Sequence, residues 1–102
     1  MNIAGTWKHE NSVAMGSAGL MRIHSTWIFT ADHKAELRTV SWIECEGETS
    51  GRTRKSHKGA WREENGAIVV EVEKHYDSPF RLTLESEDTL RSSKGGVWMK
   101  SG

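Results

Sequence analysis

The sequence is short of the residues and patterns that mark several protein classes. It has one cysteine and one proline in 102 residues, and its 14 basic and 14 acidic side chains give a net charge of zero. The lone cysteine excludes an intramolecular disulfide framework and a cysteine-rich zinc site. The balanced charge argues against a dedicated nucleic-acid-binding protein, whose affinity comes largely from basic side chains. No apolar run approaches the roughly 18 residues that a membrane-spanning helix needs.

The amino-terminal residues do not predict a secretory signal. Residues 1–10 lack the basic segment and apolar core of a secretory signal. With Met1 as the native start we expect a cytoplasmic protein, and an unpaired Cys45 agrees with a reducing compartment. The length fits one domain, so residues 1–102 are predicted to form a single unit.

Hydrophobicity alternates with a period of two along most of the chain, as in half-buried β-strands. The odd positions of residues 21–29 and 37–45 are expected to point inward, because they are the uncharged or apolar ones in both segments. Asn65-Gly66 is the strongest hairpin signal, since both central positions of a type I′ turn take positive φ. Residues 46–53 are predicted as a loop by composition, and residues 12–20 as a loop or a single helical turn.

About eight short strands follow one another with tight turns at roughly the 8–12-residue spacing of β-sandwiches and barrels. No segment has a convincing amphipathic helical pattern. Sequential hairpins favour an up-and-down meander, and closure into a barrel removes exposed strand edges. We therefore predict an all-β fold, an antiparallel up-and-down meander of about eight short strands that closes into a small barrel.

Several short motifs resemble those of small bacterial lipocalin-like (calycin-type) β-barrel proteins. They are Gly5-Thr6-Trp7, Phe29-x-x-Asp32, Gly59-x-Trp61, Asp88-Thr89-Leu90 and Trp98-x-Lys100. The resemblance implies a lipocalin-like barrel whose closed end is plugged by Trp7, with Gly5 before it, and whose interior can hold a small ligand. It also implies a basic residue over the Trp7 indole, either Lys100 or Arg91. Such a cation contributes about 0.5–2 kcal/mol.

The residues expected to point into the barrel are mostly apolar with a few polar groups, which is typical of small-ligand sites. An eight-stranded barrel is just wide enough to be filled by side chains or to hold one small ligand, and both alternatives stay open. Residues 13–20 are apolar enough for a lid, an end cap or a dimer contact. The candidate ligand-binding residues are Trp27, Ser25, Thr39, Ser41, His57, Trp61, Met15 and Leu20.

A basic run of Arg52, Arg54, Lys55 and Lys58, with His57 and Arg62 nearby, has two interpretations. A solvated hairpin that pairs with Glu71 and Glu73 of the adjoining strand is favoured. The alternative is a site for phosphate, an anionic ligand or RNA. The run lacks the interleaved aromatic residues of a single-strand platform, and its glycines do not match a phosphate loop.

Metal and catalytic patterns are weak. The five histidines lack the paired spacing of a zinc site, and haem binding by His57 has no supporting motif, so we predict neither a metal nor a cofactor. Cys45 falls on an uncharged face, where a buried inert thiol is the default. Paired carboxylates in an apolar pocket are not visible, so the chain is predicted not to be an enzyme.

The leading prediction is a non-enzymatic protein that holds a small apolar or aromatic molecule in a Trp-lined barrel interior. The alternative is a protein-interaction module or homodimer with a filled core. It would use an outward surface of Val40, Trp42 and Ile28, since tryptophan is enriched at interface hot spots. Neither nucleic acid nor a membrane is expected as a partner.

Overall fold

The computed structural model describes residues 2–101, and the predicted all-β meander barrel is confirmed. Met1, on which the expected compartment depends, lies outside the described residues. Eight antiparallel strands pair with their sequence neighbours, and the last strand closes the barrel on the first. The strands are β1 (Gly5–Ala14), β2 (Leu20–Phe29), β3 (Lys34–Cys45), β4 (Glu48–Glu64), β5 (Ala67–Val72), β6 (Phe80–Ser86), β7 (Thr89–Ser92) and β8 (Val97–Lys100). Across residues 2–101, no helix has the length and apolar character needed to cross a membrane.

The barrel is filled by the inward side chains of its strands. Trp7 and Trp27 lie opposite each other on β1 and β2, and each is 0% exposed. Trp27 stacks on Phe29 with ring centroids 5.4 Å apart and meets Trp98 at 5.9 Å. The other buried members of the core are Ile3, Ala35, Leu37, Trp61, Ile68, Val70, Val72, Leu82 and Leu90. Trp27 and Phe29 on β2 and Leu37 on β3 are buried at odd positions, which confirms the predicted inward face of these strands.

Two tight turns set the register of the central strands. Asn65 and Gly66 take φ values of 52° and 79°, which confirms the predicted hairpin between β4 and β5. Glu46 and Gly47 repeat this geometry, with φ values of 53° and 81°, between β3 and β4. The predicted loop at residues 46–53 is therefore wrong beyond its first two residues, since Glu48 already opens β4.

The first four strands are longer than the last four. The part of each long strand that reaches beyond the barrel belongs to a projecting sheet. β4 pairs with β5 only from Gly59 onward, and β1 pairs with β8 only at Trp7 and Lys8. We call the projecting four-stranded sheet, residues 9–14, 20–25, 39–45 and 48–57, the extension. None of its residues is fully buried, so both of its faces meet solvent. The extension gives the molecule its elongated shape of 46 × 27 × 23 Å.

The connection between β1 and β2 lies at the tip of the extension. Ala14 pairs with Leu20, so the strands continue into the predicted loop at residues 12–20 and leave only residues 15–19 outside them. A single 3-10 turn, Gly16–Ala18, lies within this connection. It corresponds to the single helical turn that was one of the two predictions for this segment. Gly19 follows it at φ 103°, where a Cβ would lie 2.2 Å from the carbonyl oxygen of Glu44. Glycine is therefore required there to let the two hairpins approach.

Candidate functional site

A cleft of about 310 Å³ lies where the extension leaves the barrel. One wall is the inner face of the extension, which continues the barrel interior, and the other is the connection between β5 and β6. Cross-strand pairing builds the first wall: Ile23 lies opposite Ser41, Ser41 opposite Thr53, and Thr39 opposite Lys55. We call this the mouth cleft. It is lined by Met21, Ile23, Thr39, Ser41, Thr53, Lys55, His57, Lys74, His75 and Tyr76.

Packed aromatic rings close the cleft on the barrel side. The ring centroids of His75 and Phe80 are 5.0 Å apart, and those of Phe80 and Trp27 are 5.1 Å apart. Trp27 and Trp61, predicted as ligand-binding residues, lie in the buried core and outside the lining of the cleft. An eight-stranded barrel is only wide enough for its own side chains or one small ligand. Here four indoles occupy the space between the strands.

Of the other predicted ligand-binding residues, Thr39, Ser41 and His57 line the mouth cleft. Ser25 lies opposite Thr39 on the neighbouring strand but is not part of the lining.

Residues 13–20, for which a lid was one of three alternatives, contribute no residue to the lining of the cleft. Met15 is exposed in the connection at the tip of the extension, and Leu20 opens β2 opposite Glu44. Because neighbouring residues of a strand point to opposite faces, Leu20 points away from the side of Met21. Both residues lie outside the lining of the mouth cleft, because β1 and β2 carry their connection out to the tip.

Sequence reasoning missed several residues of the lining. Met21 and Ile23 had a usable signal, since their odd positions in β2 predicted an inward face. No such sequence signal exists for Lys74, His75 and Tyr76, because an irregular connection shows no periodicity. Tyr76 is 92% exposed and forms part of the rim.

The basic run is divided between the two faces of β4. Lys55 and His57 belong to the lining of the mouth cleft, whereas Arg54 and Lys58 have the opposite parity. Of the two expected acidic partners, Glu71 pairs with Arg62, whose Nη1 lies 3.3 Å from its Oε2. Glu73 forms no ion pair within residues 2–101. The run is therefore not one continuous patch, and only its inner members can meet a ligand in the cleft.

Two imidazoles meet edge to face in the cleft, where the ring centroids of His57 and His75 are 5.0 Å apart. Nδ1 of His57 lies 2.9 Å from the carbonyl oxygen of Glu73, which only accepts, so this nitrogen carries a proton. Nδ1 of His75 instead accepts the backbone N–H of Asp77 at 3.0 Å, so the neutral ring carries its proton on Nε2. The pKa of His75 is lowered mainly by burial and secondly by the neighbouring His57. Near pH 7 the His75 ring is therefore neutral and has an Nε2–H to donate.

The outward surface of the extension carries Trp42 in a polar network. Its ring centroid lies 4.8 Å from that of His24 and 5.0 Å from the Arg52 guanidinium. Its Nε1 donates to Oε1 of Glu44 at 3.0 Å, and this bond, with one from Arg22, lowers the pKa of that carboxyl. The predicted interface residues Val40, Trp42 and Ile28 are all half-buried. Val40 and Trp42 line a shallow outer groove of about 350 Å³, and Ile28 lies beside a separate one.

The end of the barrel opposite the extension holds the predicted plug residues. Nε1 of Trp7 donates to the carbonyl oxygen of Ile3 at 2.9 Å, and Nζ of Lys100 lies 5.5 Å from the Trp7 ring centroid. Arg91, the alternative cation, forms an ion pair with Glu85. Gly5 takes a φ of 132°, a conformation that favours glycine over other residues.

No protein-family model matches the chain, and no curated protein matches it significantly. Within residues 2–101, no group of three or more histidine, cysteine, aspartate or glutamate side chains is placed to hold a metal ion. The shape and chemistry of the mouth cleft are therefore the basis on which a function can be proposed.

Proposed function

We propose that the protein is a lipocalin-like binding protein that holds a small molecule with an apolar or aromatic body in the mouth cleft, without catalysing a reaction. The observation that carries this proposal is a preformed cleft of about 310 Å³ with both apolar and hydrogen-bonding walls. Ligand sites typically measure about 300–1,000 Å³ and combine apolar surface with a few convergent polar groups. Met21 and Ile23 supply the apolar surface here, and Thr39, Ser41 and Thr53 supply hydroxyls.

The proposed ligand site lies at the mouth of the barrel and not in its interior. The four core indoles fill the interior of the barrel. The inner face of the extension continues that interior and remains accessible to a ligand. A preformed sheet surface suits binding, since little conformational entropy is lost when the ligand arrives. The two imidazoles are each fixed to backbone through Nδ1, which favours a role as positioned walls of the cleft.

A relation to small bacterial lipocalin-like barrels belongs to the same proposal. The closed eight-stranded meander and the position of Lys100 over Trp7 support it. A cytoplasmic location is also part of the proposal, and the free thiol of Cys45 supports a reducing compartment.

The neutral dye N-phenyl-1-naphthylamine is expected to bind the mouth cleft with a Kd on the order of 10–100 μM, as a small apolar ligand with few polar contacts would. Binding is measured by the rise in dye fluorescence. Ile23→Asp places a charge on the apolar wall and should weaken binding at least about tenfold, because an uncompensated charge is costly beside an apolar ligand.

The matched control is Ile28→Asp, which changes a half-buried isoleucine of the same strand that lies outside the cleft lining. This variant should bind the dye as the unaltered protein does. Equal weakening by both variants, or no dye binding to the unaltered protein, would count against the mouth cleft as a binding site.

The filled barrel core favours a second candidate, a homodimer formed through the outer groove at Val40 and Trp42. In that case sedimentation velocity at high protein concentration should show a dimer that Trp42→Ala dissociates. Truncating a central interface tryptophan typically costs more than about 2 kcal/mol of binding energy, which is about thirtyfold in Kd. A strict monomer across the concentration range would rule the homodimer out.

A further inference from the structure

We propose that the mouth cleft selects ligands whose apolar body carries one anionic group, a carboxylate or sulfonate, and that Lys55 and Lys74 hold this group. The inference rests on the proposed function and specifies its ligand class. It is carried by the distribution of charge and apolar surface around the cleft.

The lining of the mouth cleft is basic although the chain is neutral. Of its ten residues, two are lysines and two are histidines, and none is acidic. The whole chain has 14 basic and 14 acidic side chains, so the cleft concentrates one sign of charge. Lys55 comes from β4 and Lys74 from the connection between β5 and β6, so the two cations belong to different walls.

The two lysines differ from most other cations of the molecule in having no acidic partner. Ion pairs join Arg22 to Glu44, Arg38 to Glu36 and Arg62 to Glu71. Within the described part of the chain neither Lys55 nor Lys74 forms a salt bridge. Their ammonium groups are therefore free to pair with an anion that enters the cleft.

Apolar and cationic groups lie at opposite sides of the inner face. On β2 the lining residues are Met21 and Ile23, on β3 they are hydroxyl residues, and on β4 they include Lys55 and His57. Neighbouring strands are about 4.8 Å apart, so β2 and β4 are separated by roughly 10 Å. This separation matches the length of a two-ring aromatic acid. An amphipathic ligand can thus place its rings on β2 and its anionic group at β4.

One of the two imidazoles, that of His75, suits an anion as well. Nε2–H of the neutral His75 ring is a hydrogen-bond donor, and Nδ1–H of His57 is already given to Glu73. The neutral His75 ring offers an anion a hydrogen bond without charge, whereas Lys55 and Lys74 offer a positive charge. Substitution of the lysines is consequently the sharpest test.

Two dyes with the same ring skeleton provide the experiment. N-phenyl-1-naphthylamine is neutral, and 1-anilinonaphthalene-8-sulfonate adds one sulfonate to that skeleton. We expect the sulfonate dye to bind more tightly. Lys55→Met and Lys74→Met should each weaken its binding about two- to fivefold, the range of a solvent-accessible ion pair, and leave the Kd of the neutral dye within about twofold. Added salt should weaken only the sulfonate dye, because it screens exposed charges.

Lys58→Met is the matched control, since it removes the same charge from the opposite face of the same strand. It should leave the Kd of both dyes unchanged. The anion preference is overturned if Lys55→Met and Lys74→Met leave the Kd of the sulfonate dye unchanged, or if Lys58→Met raises that Kd as much as they do. The proposed function then still stands, provided that the neutral dye binds. If neither dye binds, both proposals fail together.

Discussion

Replacing Trp7 with alanine is expected to lower the free energy of unfolding by about 3–5 kcal/mol, the range for removing a large buried aromatic side chain. Trp7 is 0% exposed, and its loss also removes the 2.9 Å hydrogen bond to Ile3 and the contact with Lys100. A domain of this kind has a total stability of roughly 5–15 kcal/mol, so the variant should lose a substantial part of it. Urea denaturation followed by circular dichroism measures the change.

Trp42→Ala is the matched control, because it removes the same side chain from the solvent-accessible outer face of the extension. Trp42 is only half-buried, and we expect a loss of about 1 kcal/mol. Equal losses in the two variants would contradict a barrel whose core is closed and filled by tryptophan.

Gly59→Ala is expected to lower the free energy of unfolding by about 3 kcal/mol, at the upper end of the range for overpacking. A Cβ at this position would lie 1.7 Å from the carbonyl oxygen of Glu71 and 2.8 Å from the Cα of Val72. These are backbone atoms of β5, so the strand pairing itself would have to shift. Gly59 pairs with Val72 where β4 enters the barrel, and the shift would reach the core through Trp61. Urea denaturation measures this loss as well.

Gly47→Ala separates the clash from backbone strain. Gly47 takes a φ of 81° in the turn between β3 and β4, and no atom lies within 4 Å of its added Cβ. This variant should lose about 1–2 kcal/mol through the left-handed conformation alone. If Gly59→Ala is no more costly than Gly47→Ala, β4 and β5 do not approach each other as closely as the structure shows.

Alternation was informative wherever one face of a strand is buried. It predicted the inward parity of β2 and β3, and the Asn65-Gly66 turn fixed the hairpin that follows β4. It failed at residues 46–53, where β4 runs through the extension and both faces meet solvent. A strand without a buried face has no apolar period to detect, so its polar residues resemble a loop.

The candidate site was predictable to the same extent. Thr39, Ser41 and His57 were found because their parity places them on the inner face. Parity does not show whether the space between inward residues is filled, and so Trp27 and Trp61 could not be told from ligand contacts. Residues 74–76 come from an irregular connection whose position depends on the whole barrel. Their place beside β4 could not be obtained from local sequence.

Two-dimensional ¹H–¹⁵N NMR of labelled protein titrated with N-phenyl-1-naphthylamine shows directly whether the ligand lies in the mouth cleft. We predict that the largest shifts fall on residues 21–23, 39–41 and 74–76, while the indole N–H signals of Trp7 and Trp61 stay in place. Those indoles are engaged with backbone carbonyls in the closed core, at 2.9 and 3.0 Å. Large shifts of the core indole signals, with unmoved signals at residues 74–76, would place the ligand inside the barrel and rule out the mouth cleft as its site.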